Sequence, residues 1–226
     1  MSLTFDRLVH RARSLVSNGR RALLGITGPP GAGKTTLAEQ LVTTLAPAPP
    51  PTLTPHRWIA HVPMDGFHLA DRELTRLRRR DRKGAPDTFD PAGYAALLRR
   101  LNEDSDEVVY APSFERTLEQ PIAGAIPVPR CVRLIITEGN YLLFDDHGWG
   151  QVRSRLDEVW YVDLDADERV RRLMTRHLRF GKEPAEAAAW ATGTDERNAA
   201  LISSTRSHAD LIVPASLMRS LGSPPG

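Results

Sequence analysis

A single cysteine, Cys131, leaves no partner for an intrachain disulfide and too few thiols for a multi-cysteine zinc site, which suits a reducing compartment. Standing just ahead of an apolar run, it is expected to be a buried structural thiol rather than a nucleophile. Lysine is almost missing too: Lys34, Lys83 and Lys182 are the only three, and arginine supplies the rest of the Lys+Arg total of 30. That scarcity makes the position of each lysine informative. No apolar run approaches the roughly 18 residues that cross a bilayer. The opening MSLTFDRLVHRARSL lacks the apolar centre of a signal peptide and reads as an amphipathic helix with Leu3, Leu8 and Leu15 among its apolar positions. A cytoplasmic location without a membrane partner is expected. Nucleic acid is not expected as a partner either, because net charge is only +2 and the basic run 77–83 reads as a solvated helix end or part of a ligand region.

The 226 residues suit one α/β domain with a sizeable core. Five short Val/Ile/Leu-rich runs, at 22–27, 58–64, 132–137, 158–164 and 210–214, show little polar alternation, as buried parallel strands do. Helix-compatible stretches lie between them at 34–45, 69–80, 91–101, 149–156, 167–179 and 184–206. Alternating strands and helices predict a doubly wound sheet with helices on both faces. Residues 1–20 form an N-terminal helix, 47–55 a proline-rich connector, and 217–226 a flexible tail. Residues 101–130 read as an irregular insertion containing a strand-like VVYAP segment.

The strongest chemical signal is GPPGAGKTT at 28–36, which follows the first apolar run and opens a helix. Glycines let the backbone curl around phosphates with successive N–H groups pointing inward, and the helix start adds a positive end. The expected nucleotide contacts are Gly28, Pro29, Pro30, Gly31, Ala32, Gly33, Lys34, Thr35 and Thr36. Lys34 reaches the β- and γ-phosphates, and the Thr35 hydroxyl reaches Mg²⁺. Two carboxylates turn phosphate binding into possible phosphoryl transfer. Asp65 follows the second strand, where it faces the γ-phosphate as base or metal ligand; Glu138 ends the third, where a metal-holding carboxylate sits.

Asp165 and Glu168 read as an N-cap and its reciprocal partner. In the helix that follows, Val170, Leu173, Met174, His177 and Leu178 lie on an apolar face, with His177 a packed residue. Arg169, Arg172, Arg176 and Arg179 fall on another face. Four like charges repel there unless solvated or opposed by anions, such as the phosphates under a closing lid.

Together these motifs resemble the phosphoribulokinase, uridine kinase and bacterial pantothenate kinase group of P-loop kinases, and within it the small kinases described as fructose-transport-system kinases. GPPGAGKTT carries the resemblance with MDGFH at 64–68, RKGAPDTFD at 82–90, YAPSFER at 110–116, TEGNYLLF at 137–144, RRLMTRH at 171–177 and HADLIV at 208–213. The resemblance implies a P-loop fold with a five-stranded parallel sheet in order 2-3-1-4-5 and a helical lid at 165–183. It implies an ATP- and Mg²⁺-dependent kinase acting on a hydroxyl-bearing small molecule. By that resemblance Asp65 is the base, Glu138 the Walker B carboxylate, and Arg172 and Arg176 the lid arginines. Asp87 binds acceptor hydroxyls, and Tyr110 and Arg116 lie in the acceptor segment; His68 and Lys83 complete the expected acceptor set.

Sugar-, nucleoside- and pantothenate-like acceptors all remain open, as does a homodimer. So does an ATPase or nucleotide-dependent regulator acting on a protein partner. The absence of an Asn-Lys-x-Asp sequence argues against a GTP switch.

Overall fold

The computed structural model describes residues 3–181 and 183–221; Lys182 and 222–226, the end of the expected tail, lie outside the described residues. In chain order the strands are β1 (Ala22–Thr27), β2 (Ile59–His61), β3 (Val108–Glu115), β4 (Gln120–Pro129), β5 (Leu134–Glu138), β6 (Glu158–Val162) and β7 (Leu211–Val213). The helices are α1 (Phe5–Ser14), α2 (Lys34–Leu45), α3 (Asp71–Arg76), α4 (Pro91–Glu103), α5 (Ala166–Arg179), α6 (Pro184–Thr192), α7 (Thr194–Ser204) and α8 (Ala215–Leu221). No described helix is long and apolar enough to cross a membrane.

β1 is buried at every position because a parallel neighbour flanks each side, β5 on one and β6 on the other. β2 pairs outside β5 and β7 outside β6, giving the order β2-β5-β1-β6-β7. Counted within this sheet alone, that is the expected 2-3-1-4-5. Alternate side chains feed two cores. Leu23, Ile135 and Val159 meet Leu98 and Leu101 of α4 on one face, while Leu24, Ile136 and Trp160 meet Leu37 and Leu41 of α2 on the other. α1 lies against α2, its Thr4 hydroxyl accepting from Arg7 N and its Leu8 and Ala12 buried.

Several expectations need correcting. The insertion at 101–130 is an antiparallel hairpin of β3 and β4 with a bulge between Ala111 and Ser113. Its prolines obscured it, but a two-stranded ribbon is all edge, where a missing N–H is tolerated. Cys131 is exposed, its Sγ 3.4 Å from Arg57 O, because β5 begins only at Leu134. α3 stops at Arg76, since Arg78 takes a left-handed φ of 56°. The segment 149–156 forms two short 3₁₀ turns, and the expected helix 184–206 splits at Gly193 into α6 and α7. At the tail, residues up to Leu221 belong to α8, whose Met218 is 1% exposed and packs towards Gly33. The connector 47–55 does run through turns, with Leu53 packed at the margin of the second core.

Two packing details bear directly on the loop after β2. A Cβ built on Gly66 would lie 2.4 Å from Pro112 O, so the hairpin backbone presses on the 3₁₀ turn Met64–Phe67 that carries Asp65. Gly66→Ala must push two backbones apart and should cost about 1–3 kcal/mol, measurable as a lower midpoint in urea. On β2 itself, burial holds His61 down to about 4, and its Nε2 is buried with no hydrogen-bond partner among the described residues. Above the unfolded value of 6.5 both states carry a neutral ring. Below it the unfolded chain binds a proton that the fold refuses, so stability falls as pH drops from 6.5 towards 4, by at most about 1.4 kcal/mol per pH unit. His61→Asn should flatten the dependence of melting temperature on pH across that window.

Candidate active site

The loop between β1 and α2 needs its glycines for backbone reasons. Gly28, Gly31 and Gly33 have φ of 147°, 81° and 96°. A Cβ on Gly28 would lie 2.6 Å from Val162 O, and one on Gly31 would lie 2.9 Å from both Arg169 O and Leu173 Cγ. The loop is thus wedged between β6 and α5, curled where L side chains rarely go. α2 starts at Lys34, so its first free N–H groups point into the same hollow. Ala32 is buried beneath it, while Thr36 faces away from the cavity.

Because β5 sits between β1 and β2, the carboxyl ends of all three open on one cavity of about 370 Å³. Lys34, Thr35, Asp65 and Glu138 all line it, along with Pro30 from the loop. Lys34 Nζ donates to Gly28 O at 2.9 Å and Pro29 O at 3.1 Å. Thr35 Oγ1 donates to Glu138 Oε1 at 3.2 Å. Those two oxygens are hard donors of the kind Mg²⁺ takes beside phosphates. Burial pushes Glu138 up to about 7, reinforced by the charge of Asp65 and opposed by Lys34. Burial likewise lowers Lys34 to about 8, opposed by Glu138 and Asp65. For Asp65 burial acts upward, but His68, Arg116 and Lys34 outweigh it and hold the carboxyl below its ordinary range. Arg116 Nη2 reaches Asp65 Oδ2 at 3.3 Å.

His68 donates its Nδ1–H to Asp65 O at 2.7 Å and lies between the rings of Phe89 and Phe114, with centroids 3.9 and 4.6 Å away. Burial lowers its pKa, opposed by the charge of Asp65. Lys83 binds Asp71 Oδ1 at 2.6 Å and lies 5.5 Å from the Phe114 centroid. His68, Lys83 and Arg116 line the cavity as expected. Asp87 and Tyr110 do not. The Asp87 carboxylate is taken by Arg82 at 2.7 Å and Arg79 at 3.3 Å, and Tyr110 points outward from the hairpin, 61% exposed.

The lid helix is arranged differently from the expected faces. Asp165 occupies the N-cap of α5, but its carboxylate engages Arg219 and makes no cap bond. Glu168 turns forward to Arg171 and Arg172 instead of back. Arg169 is buried and paired with Glu196, and Arg179 is exposed. Arg176 lines the cavity, whereas Arg172 is bound to Glu168 at 2.7 Å with Nη1 3.3 Å from where a Gly33 Cβ would stand. On the supposed apolar face only Leu173 is fully buried, and Leu178 is largely exposed.

The far wall comes from residues the sequence reading did not single out. Asp195, Asn198 and Trp190 line the cavity, and His177 joins them, its Nε2–H donating to Asp195 Oδ2 at 2.8 Å. The signal was there in α7: its buried stripe runs Asp195, Asn198, Ala199, Ile202, which places two polar residues on the face that should be apolar.

Comparisons with known proteins show what the chain is similar to. A putative uridine kinase of Schizosaccharomyces pombe is 32% identical over 182 residues, covering 79% of this chain and 75% of that protein. An uncharacterised Escherichia coli protein, YggC, is 31% identical over 210 residues, covering 91% and 84%. The crystal structure of a putative fructose transport system kinase from Silicibacter superposes with a TM-score of 0.82 at 36% identity, covering 94% of this chain and 100% of that one. No family model matches the chain. With the wedged phosphate loop, the sheet order and these relatives in view, the chain belongs to the family of P-loop small-molecule kinases that the uridine kinase-like and fructose transport system kinase-like proteins represent.

Proposed function

We propose that the chain transfers the γ-phosphoryl group of ATP, with Mg²⁺, to a hydroxyl of a sugar-, nucleoside- or pantothenate-like acceptor. The observation that supports this most is Asp65: a carboxylate held ionised at the edge of the cavity that also holds Lys34 and Glu138. A protein that only bound nucleotide would have no need of such a base, and one that only hydrolysed it would have no need of the further polar wall that the same cavity carries at Asp195 and Asn198.

Bound ATP with Mg²⁺ supplies the electrophilic phosphorus. Lys34 exchanges the carbonyls of Gly28 and Pro29 for phosphate oxygens, a swap of one set of acceptors for more strongly charged ones. The backbone of 28–36 would cradle the phosphates, and Thr35 and Glu138, with Asp65 through water, would hold the metal. Arg176, and Arg172 once it leaves Glu168, neutralise charge on the moving phosphoryl group. Asp65 accepts the acceptor's hydroxyl proton as that oxygen bonds to phosphorus and the bond to the leaving ADP oxygen breaks. Arg116 and His68 fix the position of the base. His68, Lys83 and Arg116 contact the acceptor; Asp87 and Tyr110 act at most through the loops they brace.

Purified protein with Mg-ATP should release ADP faster when a suitable acceptor is added. Asp65→Asn should lower the stimulated kcat about 10²–10⁴-fold while leaving nucleotide affinity nearly unchanged. Stimulated turnover that survives in Asp65→Asn, or ADP release indifferent to every small acceptor, would show the proposal to be wrong; the second result points to an ATPase working on a protein. Glu138→Gln should raise the Mg²⁺ concentration needed for half-maximal turnover, read from a metal titration at saturating ATP.

A further inference from the structure

Taking the kinase reading as its basis, we infer that the acceptor is a neutral polyhydroxylated molecule, gripped by Asp195 through one hydroxyl while Asp65 deprotonates another. The inference comes from counting which polar atoms of the cavity wall are still uncommitted. Asp195 is only 8% exposed, yet just one of its oxygens is used: Oδ2 accepts from His177, and Oδ1 makes no hydrogen bond among the described residues. Asn198 spends its Nδ2 on Gly84 O at 3.1 Å, which leaves its Oδ1 as an acceptor. Asp65 has Oδ2 on Arg116 and Oδ1 free of hydrogen bonds among the described residues. The free oxygens of Asp195, Asn198 and Asp65 can only accept.

Of the cations in the wall, Arg176 has no side-chain hydrogen bond or ion pair among the described residues, and it is the one assigned above to the moving phosphoryl group; the others are occupied. Arg80 and Lys83 share Asp71, at 3.3 and 2.6 Å, and Arg116 holds Asp65. An acceptor that brought its own carboxylate or phosphate would set acceptors against acceptors and would leave Asp195 Oδ1 without a donor. Hydroxyl groups supply the missing donors. A flat nucleobase fits poorly for a separate reason. His68 is sandwiched between Phe89 and Phe114, and Lys83 covers the latter ring, so these phenyl faces are not open for stacking. Asp87, the carboxylate that the family resemblance assigns to hydroxyl binding, is held by two arginines outside the cavity. Asp195 takes over that chemistry from the opposite wall.

The test uses glycerol, xylitol, D-ribose and D-fructose, each beside a deoxy counterpart and a hydroxy acid of the same carbon skeleton. Two readouts are taken: probe-dependent ADP release with Mg-ATP, and calorimetric titration of each probe onto protein loaded with Mg²⁺ and a non-hydrolysable ATP analogue. The expected result is stimulation by at least one polyol or sugar, with KM raised on the order of tenfold or more when one hydroxyl is removed. Asp195→Asn should raise KM for the full probe by a similar factor while changing kcat much less, at a melting temperature within a few degrees of the parent. If that variant does not fold, the deoxy series on the unaltered protein decides alone. Hydroxy acids preferred over polyols, or a KM indifferent to both the deoxy change and Asp195→Asn, overturns the inference and leaves the kinase reading standing. A polyol that binds by calorimetry with the expected hydroxyl dependence but never stimulates ADP release supports the grip by Asp195 and overturns the kinase reading. No binding and no stimulation by any neutral probe overturns the inference.

Discussion

A buried lysine that shares one cavity with two carboxylates is the constraint around which the molecule is organised. Lys34 opens α2, Glu138 ends β5 and Asp65 lies in the turn after β2; Asp65 and Lys34 both act on the titration of Glu138. Charges placed this deeply destabilise a fold unless they are paired and bonded. Here Lys34 rests on loop carbonyls, Glu138 takes the Thr35 hydroxyl and Asp65 takes Arg116. The same pairing keeps the site ready, since every partner named is one that a phosphate, a metal ion or an acceptor hydroxyl can displace.

The rest of the architecture serves to hold those segments in place. β1 delivers the phosphate loop, β5 delivers Glu138, and β2 delivers the turn with Asp65; they are adjacent only because the sheet runs β2-β5-β1. The loop is pinned from two directions, by Val162 O behind Gly28 and by α5 over Gly31. The turn is pinned by the hairpin backbone at Pro112. The ribbon of β3 and β4 is therefore more than an insertion, for it presses on the turn that carries Asp65 and also contributes Phe114 and Arg116 to the cavity.

The two halves of the site differ in how they are built. The phosphate half comes from residues close in sequence, with a single glycine-rich loop supplying most of it. The acceptor half is assembled from four separate places: the turn after β2, the loop before α4, the hairpin, and the lid helices α5 to α7. Its specificity lies in the state of commitment of each polar atom, and Asp87 and Asp195 make the point. Both are aspartates near a kinase site, yet one is consumed by guanidiniums and the other keeps an oxygen for the cavity.

The sequence by itself determined the sheet, the phosphate loop and the two carboxylates at strand ends. These depend on local periodicity, on glycines where φ must be positive, and on the rule that ligands gather at carboxyl ends of parallel strands. It also marked His68, Lys83 and Arg116. Only the tertiary structure decided that residues 108–129 pair as a ribbon, that Cys131 faces outward, that Asp87 and Tyr110 stay outside the cavity, and that Asp195 and His177 enter it. The physical reason is the same in each case. Whether a polar side chain is free to meet a ligand depends on which distant charges reach it first, and Arg79, Arg82 and His177 find their carboxylates only when the chain has folded.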